Sequence, residues 1–245
     1  MAIFYSAGHN SALVYAIRLL HDAGVEFLPC PDRQVTHLLL PIPSFDPDGR
    51  IKGGTSLEAL LWQLPEDVTI IGGGLKRPEL GTYKTVDLLN DPAYLSENAA
   101  ITAYCAVELA AQRLPVVWKD CPVLIVGWGR IGKCMARLLD KLDARVTVAA
   151  RKEADRAMLR AMGYAAVDIP DITTEGFRLI VNTVPEMILP SCVGNAIKLD
   201  LASQPGIGGA DVLWARGLPG KYAPESSGEL IARTVLQKLR EDGEL

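Results

Sequence analysis

The chain has 245 residues, 49% of them hydrophobic, with a formal net charge of −4. That length fits one or two domains with a sizeable core. Its interspersed charges form no basic footprint for nucleic acid, and no apolar run reaches the ~20 residues that span a bilayer.

The start, MAIFYSAGHN, lacks the basic region and long apolar core of a signal peptide, which suits a cytoplasmic protein. Residues 2–5 read as a short apolar strand. Leu13, Ile17 and Leu20 lie at helical spacing and predict a helix over residues 11–23, stopped by Gly24. Residues 25–28 and 36–40 are further strands, the latter closed by Pro41, Ile42 and Pro43. Residues 44–55, rich in Asp, Gly and Pro, form a loop. Ser56 is placed to cap a short helix through Gln63, and residues 68–71 form a buried strand before Gly72, Gly73 and Gly74. Such alternation implies a small parallel α/β domain. Asp91, Pro92, Ser96 and Glu97 then signal the start of a long helix with Ile101, Cys105 and Leu109 on one face.

The most informative stretch is residues 123–152, VLIVGWGRIGKCMARLLDKLDARVTVAARK. An apolar run enters a GxGxxG turn, an amphipathic helix follows, and a second β-branched strand closes the unit. This is the context the dinucleotide fingerprint requires. Gly127 permits the tight turn, Gly129 lets backbone approach a pyrophosphate, and Gly132 lets the helix pack on the sheet. With Trp128, Arg130 and Ile131 they make the expected phosphate cradle. NAD-binding chains place Asp or Glu at the end of the second strand to hold the ribose 2′-OH. Here Ala150 stands there and Arg151 and Lys152 follow, two cations that suit a 2′-phosphate. The expected cofactor is therefore NADP(H).

Beyond it, residues 152–162 are helical up to Gly163, and strands fall at 165–169, 179–181, 199–201 and 211–214. A last helix is expected from Ser226, with Glu229 completing a capping box and Ile231, Val235, Leu236 and Leu239 buried. Ligands of open parallel sheets sit outside the carboxyl ends of the strands. Asn182, Thr183, Val184, Pro185, Ser203 and Pro219 are therefore further cofactor candidates. His9, Pro41, Ser44, Thr102 and Gly220 are candidates for substrate in a cleft between the two domains. No catalytic acid–base pair is evident. The three histidines all precede the fingerprint; His21 and His37 read as structural and His9 as the one placed at a strand end. D-2-hydroxyacid dehydrogenases, which use a late histidine, are thereby disfavoured. No His, Cys, Asp or Glu cluster has metal-ligand spacing. The five cysteines (Cys30, Cys105, Cys121, Cys134, Cys192) are scattered and read as reduced, small core residues.

The whole predicts an α/β protein, with a Rossmann-type doubly wound parallel sheet domain at residues 117–222. A smaller N-terminal α/β domain (1–95, substrate side) and a connecting helix (96–116) precede it. A C-terminal helix (223–245), expected to pack back towards the N-terminal domain, completes a plan resembling the two-lobed 2-hydroxyacid dehydrogenases.

The fingerprint stretch, together with NTVPEMIL, LDLASQPGIGGAD and GLPGKYAPESSGELIARTV in that order, resembles the nucleotide-binding half of the dipicolinate synthase A family. PIPSFDPDGRI and the DLLND region keep the outline of that family in the first half. The resemblance implies a nicotinamide-dependent oxidoreductase of the lysine branch in sporulation. Such an enzyme oxidises a dihydrodipicolinate-type cyclic dicarboxylate to dipicolinate beside a second, flavoprotein-like subunit. The chain departs from the family around Thr102, where Ile101 replaces a proline and Tyr104 a glutamate, and at Gly8, His9 and Asn10. Two alternatives stay open: an NADP(H) dehydrogenase or reductase of another small carboxylate or cyclic imine, and a non-catalytic NADP-binding subunit. Homo-oligomerisation is also open.

Overall fold

The computed structural model describes residues 2–191 and 194–245, so Cys192 lies outside the described residues. The chain divides into two units. One runs from its start through Asn98 and adds Pro219–Leu245; the other is Ala99–Leu218.

The first unit begins β1 (Ile3–Ser6), α1 (Ser11–Asp22), β2 (Glu26–Phe27), β3 (His37–Leu39), α2 (Leu57–Leu61), β4 (Thr69–Gly72) and β5 (Thr85–Asp87). α3 (Pro92–Ala111) continues from it into the second unit. Its sheet is parallel throughout, in the order β2-β1-β3-β4-β5. Leu38 and Ile70 from the strands and Leu40 just after β3 meet Leu57, Leu60 and Leu64 in one buried cluster. Each such side chain stabilises the fold by about 1.5–3 kcal/mol. β5 has no clear signal in the sequence: it is three residues long with a single apolar side chain, Val86, and pairing with β4 alone defines it. Ser56 stands at the N-cap of α2, but its side chain makes no capping bond. Asp91 does cap α3, its Oδ1 accepting from the N–H of Ala93 (2.8 Å) and Tyr94 (2.9 Å).

The second unit contains β6 (Pro122–Val126), α4 (Arg130–Asp140), β7 (Arg145–Ala149), α5 (Glu153–Ala161), β8 (Ala165–Val167), β9 (Leu179–Asn182), β10 (Ile197–Asp200) and β11 (Val212–Trp214). All pairings are parallel and the order is β11-β10-β9-β6-β7-β8. Counted from β6, this is the 3-2-1-4-5-6 order of dinucleotide-binding sheets. Val123, Leu124, Ile125 and Val126 are all buried, as strands covered on both faces require.

α6 (Leu218–Tyr222) and α7 (Pro224–Glu241) end the chain. α7 starts at Pro224 rather than Ser226, because proline's fixed φ suits the first helical position. Ser226 thus falls inside the first turn, and no side chain caps the helix. α7 lies against α1, where Gly228 leaves room for the backbone of Ala12 and Ala16. The Tyr15 hydroxyl donates to Glu225 Oε1 at 2.6 Å across the same contact.

Candidate functional site

β6 and β9 are neighbours, and the chain moves away from them towards opposite edges of the sheet. In sheets of this kind the ligand crevice lies outside the carboxyl ends of two such strands. Gly127 leaves β6 at φ +103°, and a Cβ on it would stand 2.5 Å from Thr183 Oγ1. A Cβ on Gly132 would strike the Gly127 carbonyl oxygen. Gly129 differs, since a Cβ there would meet nothing within 4 Å. The space before Gly129 is therefore open. α4 begins directly behind it with no side-chain cap and no acidic residue in its first turn. Its free N–H groups and positive dipole end are left for an anion. Trp128 contributes backbone to this turn; its ring turns to Tyr164 (centroids 6.2 Å apart) and carries the Lys133 ammonium at 5.8 Å. Ile131 is half-buried.

At the end of β7, Ala150 is buried and donates to the Val167 carbonyl (3.1 Å). Arg151 and Lys152 are exposed. Arg156, which belongs to no recognisable motif, fixes this turn from α5. Its Nη1 donates to the carbonyls of Ala150 (2.7 Å) and Arg151 (2.8 Å) and lies 3.0 Å from Asp168 Oδ1. Glu153, the acid nearest the turn, is taken up by Arg160 and Arg156, which hold its carboxyl below the usual range. Arg151 Nη1 lies 3.9 Å from Glu186 Oε2, while among the described residues Arg130 and Lys152 pair with no carboxylate. The turn is thus net positive, with no acid where a ribose 2′-OH would need one.

Behind β9 and β10 lies a buried polar pair. Asn182 Nδ2 donates to the Val184 carbonyl and to Asp200 Oδ1, both at 2.9 Å. Asp200 also accepts from the N–H of Ala202 (3.0 Å), Gly206 (2.6 Å) and Ile207 (3.0 Å). Asn182 is sealed from solvent, so it can act on a ligand only by fixing the turn that carries Val184. Thr183 Oγ1 donates to the Val126 carbonyl (2.9 Å) and braces the glycine turn, while Pro185 and Ser203 are exposed. Asp200 is absent from the residues expected at the site, although an acid closing an apolar strand is a usable signal. The same is true of Trp214 and Arg216. Trp214 Nε1 donates to the Ala202 carbonyl (3.0 Å) and Arg216 Nη1 to that of Ser203 (2.6 Å).

In the first unit the order reverses between β1 and β3, and His9 and Pro41 follow those strands. A Cβ on Gly8 would stand 2.6 Å from the Lys52 carbonyl oxygen and 2.8 Å from Pro41 Cγ, so this turn is packed shut. Ser44, expected at substrate, is fully buried: its Oγ accepts from Gly73 N–H (2.9 Å) and its own N–H donates to the Gly73 carbonyl (2.8 Å). It ties two turns together and is not presented to a ligand. Pro41 is buried as well, and His9 is exposed. Thr102 is buried on α3, Pro219 is buried, and Gly220 is half-buried in α6. His37 is buried, stacked on Phe4 at 4.8 Å, with Nε2 3.2 Å from Glu244 Oε2. Burial raises the thiols of Cys105, Cys121 and Cys134, whereas Cys30 is exposed and is no core residue. Among the described residues no His, Cys, Asp and Glu group could hold a metal, and no helix is long and apolar enough to cross a membrane.

No family model matches the chain. It is 29% identical over 235 residues to the dipicolinate synthase A protein of Bacillus subtilis (strain 168), covering 85% of this chain and 79% of that protein. The crystal structure of dipicolinate synthase A from Bacillus halodurans superposes with a TM-score of 0.83 at 21% identity, covering 97% of each chain. D-lactate dehydrogenase from Escherichia coli superposes at 0.61 with 14% identity, over 100% of this chain and 98% of that one. The chain is similar to dipicolinate synthase A along most of its length, and its fold is that of the Rossmann-type dehydrogenases.

Proposed function

We propose that this chain is an NADP(H)-dependent oxidoreductase of the dipicolinate synthase A type. It removes hydride and a proton from a dihydrodipicolinate-type dicarboxylate to give the aromatic pyridine-2,6-dicarboxylate, beside a second, flavoprotein-like subunit in the cytoplasm. The observation that carries this reading is the uncapped start of α4 at the open face of Gly129, next to a turn with Arg151 and Lys152 and with Ala150, not an acid, at the ribose position. The similarity at 29% identity supports the reaction class. NADP+, when bound, supplies the hydride acceptor. Gly129 and the α4 N–H groups hold its pyrophosphate, Arg151 and Lys152 its 2′-phosphate, and Thr183 and Ser203 flank its nicotinamide half. Loss of hydride creates an aromatic ring, which suits a nucleotide unit with no histidine after His37.

The test is NADP+ reduction with freshly prepared dihydrodipicolinate, with and without the flavoprotein partner. Coenzyme reduction is expected. A folded, NADP-saturated protein that reduces none under either condition would remove the reaction. One observation favours a second reading, turnover of another small carboxylate or cyclic imine. Tyr104, which stands where the family has glutamate, is 65% exposed on α3. A substrate panel in the same assay separates the two.

A further inference from the structure

We propose that Arg216 is the anchor for a carboxylate group of the substrate. This rests on the proposed function, in which a small carboxylate reacts beside a nicotinamide coenzyme. The carboxyl edge of the nucleotide sheet is uneven in charge. Arg130, Arg151 and Lys152 all follow β6 and β7. After β9, β10 and β11, residues 182–188, 201–207 and 215–217 contain one cation, Arg216. A dinucleotide laid across the switch point puts its pyrophosphate at the glycine turn and its second nucleoside over the strands on the far side. The reacting ring therefore falls on the side where Arg216 is the one cation that the strand-end segments themselves carry.

Arg216 is also preset. Its Nη1 donates to the Ser203 carbonyl at 2.6 Å, and its guanidinium carbon lies 5.4 Å from the Trp214 ring centroid. Trp214 is itself held by its Nε1 bond to the Ala202 carbonyl, and the Ala202 N–H donates to Asp200 Oδ1. With Nη1 engaged, Nε and Nη2 have no partner among the described residues and the side chain is exposed. That free edge is the fork that takes two carboxylate oxygens at once. The acid after β9, Glu186, pairs with Arg151. A guanidinium already held in place loses little rotamer freedom on binding.

The experiment compares wild type, Arg216→Lys and Arg216→Gln by titration with dipicolinate, a stable ligand, in the presence of NADP+, and by steady-state kinetics with dihydrodipicolinate. Arg216→Gln is expected to weaken dipicolinate binding and raise KM by about 10–100-fold. Arg216→Lys should recover part of that loss, and NADPH affinity should stay within about twofold in both. Unchanged dipicolinate affinity would overturn the anchor. So would parallel losses of dipicolinate and NADPH affinity, which would make Arg216 a brace for the Ser203 turn. A wild type that binds dipicolinate through Arg216 yet transfers no hydride would defeat the proposed reaction and leave the anchor standing. A wild type that binds neither dipicolinate nor any other small dicarboxylate would defeat both.

Discussion

Two parallel sheets in this molecule have the same kind of switch point and finish it in opposite ways. In the first unit the order reverses between β1 and β3, in the second between β6 and β9. Each has a glycine turn that leads into a helix. In the first, Asn10 Oδ1 accepts from Leu13 N–H at 2.7 Å and so occupies the start of α1, while Lys52 and Pro41 fill the space beside Gly8. In the second, no side chain caps α4 and nothing stands before Gly129. Topology marks where a ligand can sit. Whether an anion can sit there depends on which N–H groups the chain leaves unspent.

Paired substitutions at the two turns should give the largest separation. Gly129→Val projects into open space, so it should cost at least about 100-fold in NADPH affinity with little change in melting temperature. Gly8→Val forces a β-branched residue to φ +86° against backbone. It should destabilise the protein by about 1–3 kcal/mol while the folded fraction binds NADPH normally. Calorimetry and fluorescence titration on both variants would expose any reversal of that pattern. Next, Arg151→Ala with Lys152→Ala should weaken NADPH by about 10–100-fold and leave NADH within about twofold. Equal losses for both coenzymes would mean that these cations do not read the 2′-phosphate.

A smaller effect is expected from Arg156→Ala, which releases the carbonyls of Ala150 and Arg151. NADPH affinity should fall about 3–10-fold, partly restored by Arg156→Lys. A loss of stability with an unchanged ratio of NADPH to NADH affinity would assign Arg156 to the fold alone. The smallest effect belongs to the first unit. Burial holds the His37 imidazole below its ordinary pKa of 6.5. The unfolded chain therefore takes up this proton at a higher pH than the folded one. The stability contribution is complete above 6.5 and declines as pH falls below it, by at most about 1.4 kcal/mol per pH unit. The melting temperature should drop from pH 7.5 towards 5.5, and His37→Gln should flatten that slope.

The nucleotide sheet is legible in the sequence because its central strands are buried β-branched runs and its helices have stops, such as Gly163. β5 is not legible, since Thr85, Val86 and Asp87 become a strand only by pairing with β4. Of the capping signals, Asp91 acts as read, whereas two others overstate what the side chains do. Ser56 makes no side-chain capping bond, and Pro224 overrides the box at Ser226 and Glu229. Within the site, glycines and charges announce themselves by spacing. The side chains that hold the turns are harder to read: Asp200 shows only as an acid closing an apolar strand, and Arg156 shows nothing, because both act on backbone groups brought near by the fold. Ser44 shows the converse, a hydroxyl at a strand end that the packing turns inward.

The most direct measurement is a side-by-side equilibrium titration of the wild-type protein with NADPH and NADH at one ionic strength. NADPH should bind at least about tenfold tighter. Equal binding, or tighter binding of NADH, would contradict the role given to Arg151 and Lys152.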